Sequence, residues 1–91
     1  MITFKAKVIN QRGLHARVAA KIVSSLKNKE AQVFIKKEGG ELEVQANSIV
    51  DLLLLGASYG SSLEVRVIGQ EEKAVHEFLK NLILNKFGEK N

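Results

Sequence analysis

The sequence of 91 residues predicts an α+β fold in which a four-stranded antiparallel sheet is covered on one face by three helices, in the order βαββαβα. Three observations predict it. Apolar and polar residues alternate in four short runs, the period of a half-buried strand. Two longer runs repeat their apolar residues at helical spacing. A third, shorter apolar run opens on a serine and closes on a glycine, the residues that start and stop helices. Apolar residues make up 45% of the chain and charged residues 26%, enough for one modest core, so residues 1–91 are expected to form a single domain.

The elements follow in order. Ile2, Phe4, Ala6 and Val8 alternate with Thr3, Lys5 and Lys7 until Asn10-Gln11-Arg12-Gly13 breaks the run. From Ala16 the period changes, and Ala19, Ile22, Val23 and Leu26 form one stripe of a helix that Asn28-Lys29-Glu30 ends. Ala31, Val33 and Ile35 alternate in a second strand, and Leu42, Val44 and Ala46 in a third. Gly39-Gly40 between them supplies the positive φ angles of a tight hairpin turn. Ser48 is the N-cap of a short helix over 49–55, with Gly56 just past its end. Leu63, Val65 and Val67 mark the fourth strand. Val75, Phe78, Leu79, Leu82 and Ile83 mark a long last helix closing near Gly88, after which Glu89-Lys90-Asn91 is expected to fray. Lys5, Lys7, Glu43, Glu64 and Arg66 then face water on the open side of the sheet.

Composition excludes several classes of function. Without cysteine there is no disulfide framework and no thiolate ligand for a metal. The longest apolar run is four residues and the first seven residues read as a strand, so neither membrane insertion nor a secretion signal is expected, and the cytoplasm is the default location. Net charge is +4, but the lysines are dispersed from Lys5 to Lys90. One tyrosine and four phenylalanines form no basic-aromatic strip, so nucleic acid is not an expected partner.

Two histidines are the candidates for chemistry. His76 has Glu72 four residues before it and Lys80 four after, which a solvated helix face explains. His15 could be a packed residue beside Leu14, and with His76 so distant it makes a poor metal ligand. Its position suggests more. His15 falls at the N-cap of the first helix, where the free N–H groups of the first turn favour an anion and disfavour positive charge on the ring. Arg17 supplies a guanidinium for the same anion, and Arg12 a second. This arrangement suits a phosphoryl group carried on histidine. A lone His-x-Arg fits that chemistry without selecting it.

Gly13-Leu14-His15-Ala16-Arg17, followed by Ala19-Ala20, resembles the signature of HPr, the histidine phosphocarrier family of the bacterial sugar phosphotransferase system. Asn47-Ser48-Ile49-Val50, then Leu55-Gly56 and Gly60, resembles the family's regulatory-serine segment. The resemblance covers essentially the whole chain. It implies an open-faced β-sandwich in which His15 takes phosphate on Nδ1 from enzyme I and passes it to a sugar-permease A component. Arg17 would stabilise the phosphate, and no metal, cofactor or second subunit is implied. Nitrogen-regulatory paralogues share these residues. A ferredoxin-like RNA- or ligand-binding module shares the order of the first six elements, but would want a longer second helix. One departure stands out: the family usually has proline where this chain has Val18.

The short helix is too apolar to bury every side chain. The resemblance assigns Leu52 and Leu55 to the core and Ile49, Val50 and Leu53, with Arg12 and Leu14, to partner docking. Ser48 needs no regulation to explain it as a cap, yet in some relatives a dedicated HPr kinase phosphorylates this serine.

Overall fold

The computed structural model describes residues 1–91. Strand β1 (Ile2–Lys7), helix α1 (Ala16–Leu26), strands β2 (Gln32–Lys37) and β3 (Glu43–Gln45), helix α2 (Ile49–Leu54), strand β4 (Ser62–Ile68) and helix α3 (Glu72–Leu84) follow in the expected order. A 3-10 turn, Lys86–Gly88, comes after them. The sheet is antiparallel throughout, with strand order β1-β4-β2-β3.

Strand β4 is central, and its alternation sets the register. Leu63, Val65 and Val67 are at most 1% exposed, while Glu64 and Arg66 point to the other face. A slip of one residue would put three apolar side chains into water, at about 1.5–3 kcal/mol each. The open face carries an ion pair. Arg66 binds Glu43 through two nitrogens at 3.0 and 2.7 Å, and its guanidinium lies 4.8 Å from the Phe34 ring. Glu43 is thereby held below the usual carboxylate range, chiefly by the hydrogen bond from Arg66.

Four expectations need correction. The hairpin between β2 and β3 turns over Lys37–Gly40, closed by the Gly40 N–H to the Lys37 carbonyl at 2.9 Å. Only Gly39 has positive φ, and Leu42 falls in the connection, 47% exposed. Helix α3 buries Val75, Leu79 and Ile83, a stripe one residue wide, so Phe78 lies beside it and is 42% exposed. His76 is half-buried rather than solvated. Its ring meets Phe4 of β1 edge-on, with centroids 4.8 Å apart. Glu72 turns instead to the amino terminus, 3.0 Å away.

The fourth correction concerns the tail. Lys86 and Phe87 both take left-handed φ angles of 56° and 55°, at roughly 1–2 kcal/mol for a residue with a Cβ. Phe87 is 2% exposed in the core, and burying that ring offsets the strain. Lys21 donates to the Phe87 carbonyl at 2.9 Å. The chain therefore does not fray after Gly88; it is folded back over the start of α1.

Candidate functional site

The loop before α1 is fixed from below. Asn10 is fully buried, and its Nδ2 donates to the Gly13 carbonyl at 2.9 Å. Gly13 takes φ +68°, and a Cβ there would stand 2.8 Å from the Ala57 carbonyl oxygen and 2.9 Å from Ser58 Cα. That close approach lets the Leu14 N–H reach the Ala57 carbonyl at 2.9 Å. Leu14 is drawn into the core, 6% exposed, and this corrects its expected place on the docking surface: a side chain under the loop cannot meet a partner.

His15 is the N-cap, with extended backbone (φ −93°, ψ −179°). Its carbonyl accepts the first helical bond, from the Ala19 N–H at 2.9 Å, and its side chain caps nothing. The N–H groups of Ala16, Arg17 and Val18 therefore have no main-chain acceptor, the arrangement that attracts an anion. The Val18 side chain is 1% exposed, so the residue in the family's usual proline position serves as a core contact.

One feature was invisible in the sequence pattern. His15 Nε2 lies 2.6 Å from Glu89 Oε2, and Asn10 Nδ2 donates to Glu89 Oε1 at 2.7 Å. The Gln11 N–H also meets the Asn91 main-chain oxygen. Hydrogen bonds from Asn10 and then from His15 hold Glu89 below the ordinary carboxylate range, so it is ionised at neutral pH. This carboxylate is thus an acceptor for a hydrogen on Nε2 of His15. His15 Nδ1 makes no hydrogen bond.

Arg12, Arg17, Lys21 and Lys90 border one open groove beside His15, with the tail as its far wall. Both arginines are exposed, and neither is engaged in a salt bridge. Two guanidinium groups are thus free for an incoming anion.

Helix α2 packs against α1. Ser48 accepts the Asp51 N–H at 3.2 Å, the cap bond its position predicts. Leu52 and Leu55 are in the core at 0% and 7% exposure. Ile49, Val50 and Leu53 are 39%, 66% and 40% exposed, and Leu54 joins them at 64%. The spacing of Leu54 four residues after Val50 was the available signal for its inclusion.

Residues 2–85 match the family model described as the PTS HPr component phosphorylation site. The chain is 35% identical over 89 residues to the phosphocarrier protein HPr of Xylella fastidiosa, covering 98% of each. It is 36% identical to the phosphocarrier protein NPr of Escherichia coli over 70 residues, 76% of this chain and 77% of the other. Its structure is similar to that of HPr from Thermoanaerobacter tengcongensis, with a TM-score of 0.89 at 32% identity over the whole of both chains. HPr from Bacillus anthracis superposes with a TM-score of 0.81 at 28% identity, covering 90% of this chain and 95% of that one.

Proposed function

Because this chain belongs to the HPr family of the phosphotransferase system, whose members carry phosphoryl groups and are not enzymes, we propose that it accepts phosphate on His15 from enzyme I and delivers it to a sugar-permease A component in the cytoplasm. The observation that carries the reading is the N-cap placement of His15, beside three unpartnered N–H groups and the free guanidinium of Arg17. The HPr relatives match over nearly the full chain and the NPr relative over three quarters of it, which favours the sugar branch over the nitrogen-regulatory one. The test is incubation with phosphoenolpyruvate and, in turn, the enzyme I of each branch. A single acid-labile, base-stable phosphoryl adduct formed faster by the sugar-branch enzyme supports the reading. No adduct with either overturns it.

Arg17 is the proposed phosphate-stabilising residue. A hydrogen bond to a charged group is worth on the order of 1.5–3 kcal/mol, and exposure reduces that. Arg17→Ala should therefore slow transfer about tenfold while the melting temperature stays near the parent's, because the side chain holds nothing in the fold. Arg17→Lys should recover only part, since a point charge cannot present a fork. Unchanged rates in both would exclude the role.

The exposed apolar face of α2, with Arg12 at the edge of the groove, is the proposed docking surface. Ser48 at its start is the proposed regulatory position, the residue an HPr kinase would modify. An anion at this N-cap is neutral or stabilising for the helix, by at most about 1 kcal/mol. Its effect on docking runs the other way, because a partner covering Ile49, Val50 and Leu53 must desolvate it. Ser48→Asp should keep thermal stability and raise the Michaelis constant for transfer from enzyme I. Ser48→Ala should lose roughly 1 kcal/mol with the cap bond and transfer nearly normally. An early melt or parental kinetics for Ser48→Asp would count against this surface.

A further inference from the structure

We propose that Glu89 is a positioning residue for phosphoryl acceptance, holding the ring proton of His15 on Nε2 so that Nδ1 alone presents the attacking lone pair. This rests on the phosphocarrier reading above and adds a group to its site.

A neutral imidazole has one N–H and one lone pair, and the hydrogen bond made by one nitrogen decides which is which. The Glu89 carboxylate has no proton to give, so the 2.6 Å contact requires Nε2 to be the donor. The carboxylate is itself aimed. Its other oxygen accepts from Nδ2 of Asn10, which is fully buried and tied by the same nitrogen to the Gly13 carbonyl. The turn that presents His15 and the group that orients its ring are thus joined through one side chain. Nδ1 is left without a partner.

The same contact serves the transfer step. As Nδ1 attacks, a nitrogen–phosphorus bond forms on His15, and the donor's bond to phosphorus breaks with its electron pair leaving on the donor atom. No proton leaves the ring, which becomes a phosphorylated imidazolium with its N–H still on Nε2. The positive charge then develops beside Glu89, as in hydrolytic triads where a buried carboxylate fixes the histidine tautomer and stabilises the imidazolium. Delivery to the next acceptor reverses these movements.

The test is the regiochemistry of chemical phosphorylation, which needs no enzyme I. The full chain, labelled with 15N in histidine, is treated with phosphoramidate, and the modified ring nitrogen of His15 is assigned by NMR. The parent protein should form the Nδ1 adduct in an excess on the order of tenfold or more over Nε2. Glu89→Ala should give a mixture. Glu89→Gln offers one acceptor oxygen where the carboxylate has two, so it can keep the bond from Nε2–H only by giving up the one from Asn10. Its Nδ1 selectivity should fall between those of the parent and Glu89→Ala. Before treatment, the Nε2–H tautomer should dominate in the parent, less so in Glu89→Gln, and not in Glu89→Ala. Equal selectivity in all three proteins, or an unchanged tautomer in Glu89→Ala, overturns the role of Glu89. A parent protein that is selective for Nδ1 yet refuses phosphate from enzyme I would uphold Glu89 and sink the phosphocarrier reading instead.

Discussion

His15→Ala should leave the protein without any phosphoryl adduct after incubation with enzyme I and phosphoenolpyruvate, while His76→Ala should be labelled like the parent. The first result follows from the proposed chemistry, since Nδ1 of His15 supplies the electron pair for the new bond and alanine has none. It is also interpretable as chemistry, because the His15 side chain caps no helical N–H and its loss costs α1 no hydrogen bond. The core cluster does not include His15, and the α1 stripe of Val18, Ala19, Ile22 and Leu26 is untouched. The second result follows from the environment of His76. Its ring is engaged edge-on with Phe4. His76→Ala should lose part of that aromatic contact, about 0.5–1.5 kcal/mol, and no phosphate. Mass measurement before and after acid treatment, with a thermal melt of each variant, checks both. Acid-labile label surviving in His15→Ala would place the carrier group elsewhere.

Gly13→Ala is expected to give the largest loss of stability near the site. Left-handed φ costs an alanine roughly 1–2 kcal/mol before any contact is counted. The added methyl would then stand 2.8 Å from the Ala57 carbonyl oxygen and 2.9 Å from Ser58 Cα, both main-chain atoms that cannot swing aside. Relief requires the loop to separate from 57–58, breaking the Leu14 N–H bond to Ala57 and lifting Leu14 from the core. The total should reach about 3 kcal/mol or more, among the larger single-residue effects. For a domain of this size that lowers the melting temperature by at least about 10 °C. Transfer should suffer as well, even below the melt, because the Asn10 bond to the Gly13 carbonyl moves with the loop and carries the orientation of Glu89 and His15 with it. Gly39→Ala is the control: its φ is also positive, but nothing lies within 4 Å of the new methyl, so only the backbone cost applies. Equal melting temperatures for the two variants would show that the close approach at Gly13 does not hold the loop.

The sequence by itself determined the elements, their order and where His15 stands on α1. These are local properties. A period of two or of 3.6 residues shows in the next few side chains, and Ser48 and Gly56 mark the ends of α2 through backbone groups within one turn. The family resemblance, and not composition, sorted Leu52 and Leu55 from their exposed neighbours. Where the local pattern misled, packing had chosen among equivalent apolar residues. Phe78 and Leu79 both fit a helical stripe, and only the packing of α3 in the assembled fold buried one and exposed the other. Leu42 continues an alternation that the turn at Lys37–Gly40 had already ended. Leu14 reads as a surface residue beside the site until the close approach of Gly13 to Ala57 draws it inward. The tail was the largest omission. Glu89 is 74 residues from His15, and no spacing rule connects them. Two strained residues, Lys86 and Phe87, turn the chain back, and the burial of Phe87 holds that turn in place. Strain in one residue offset by the packing of its side chain elsewhere is a property of the assembled core, so only the tertiary structure could bring a carboxylate to the imidazole.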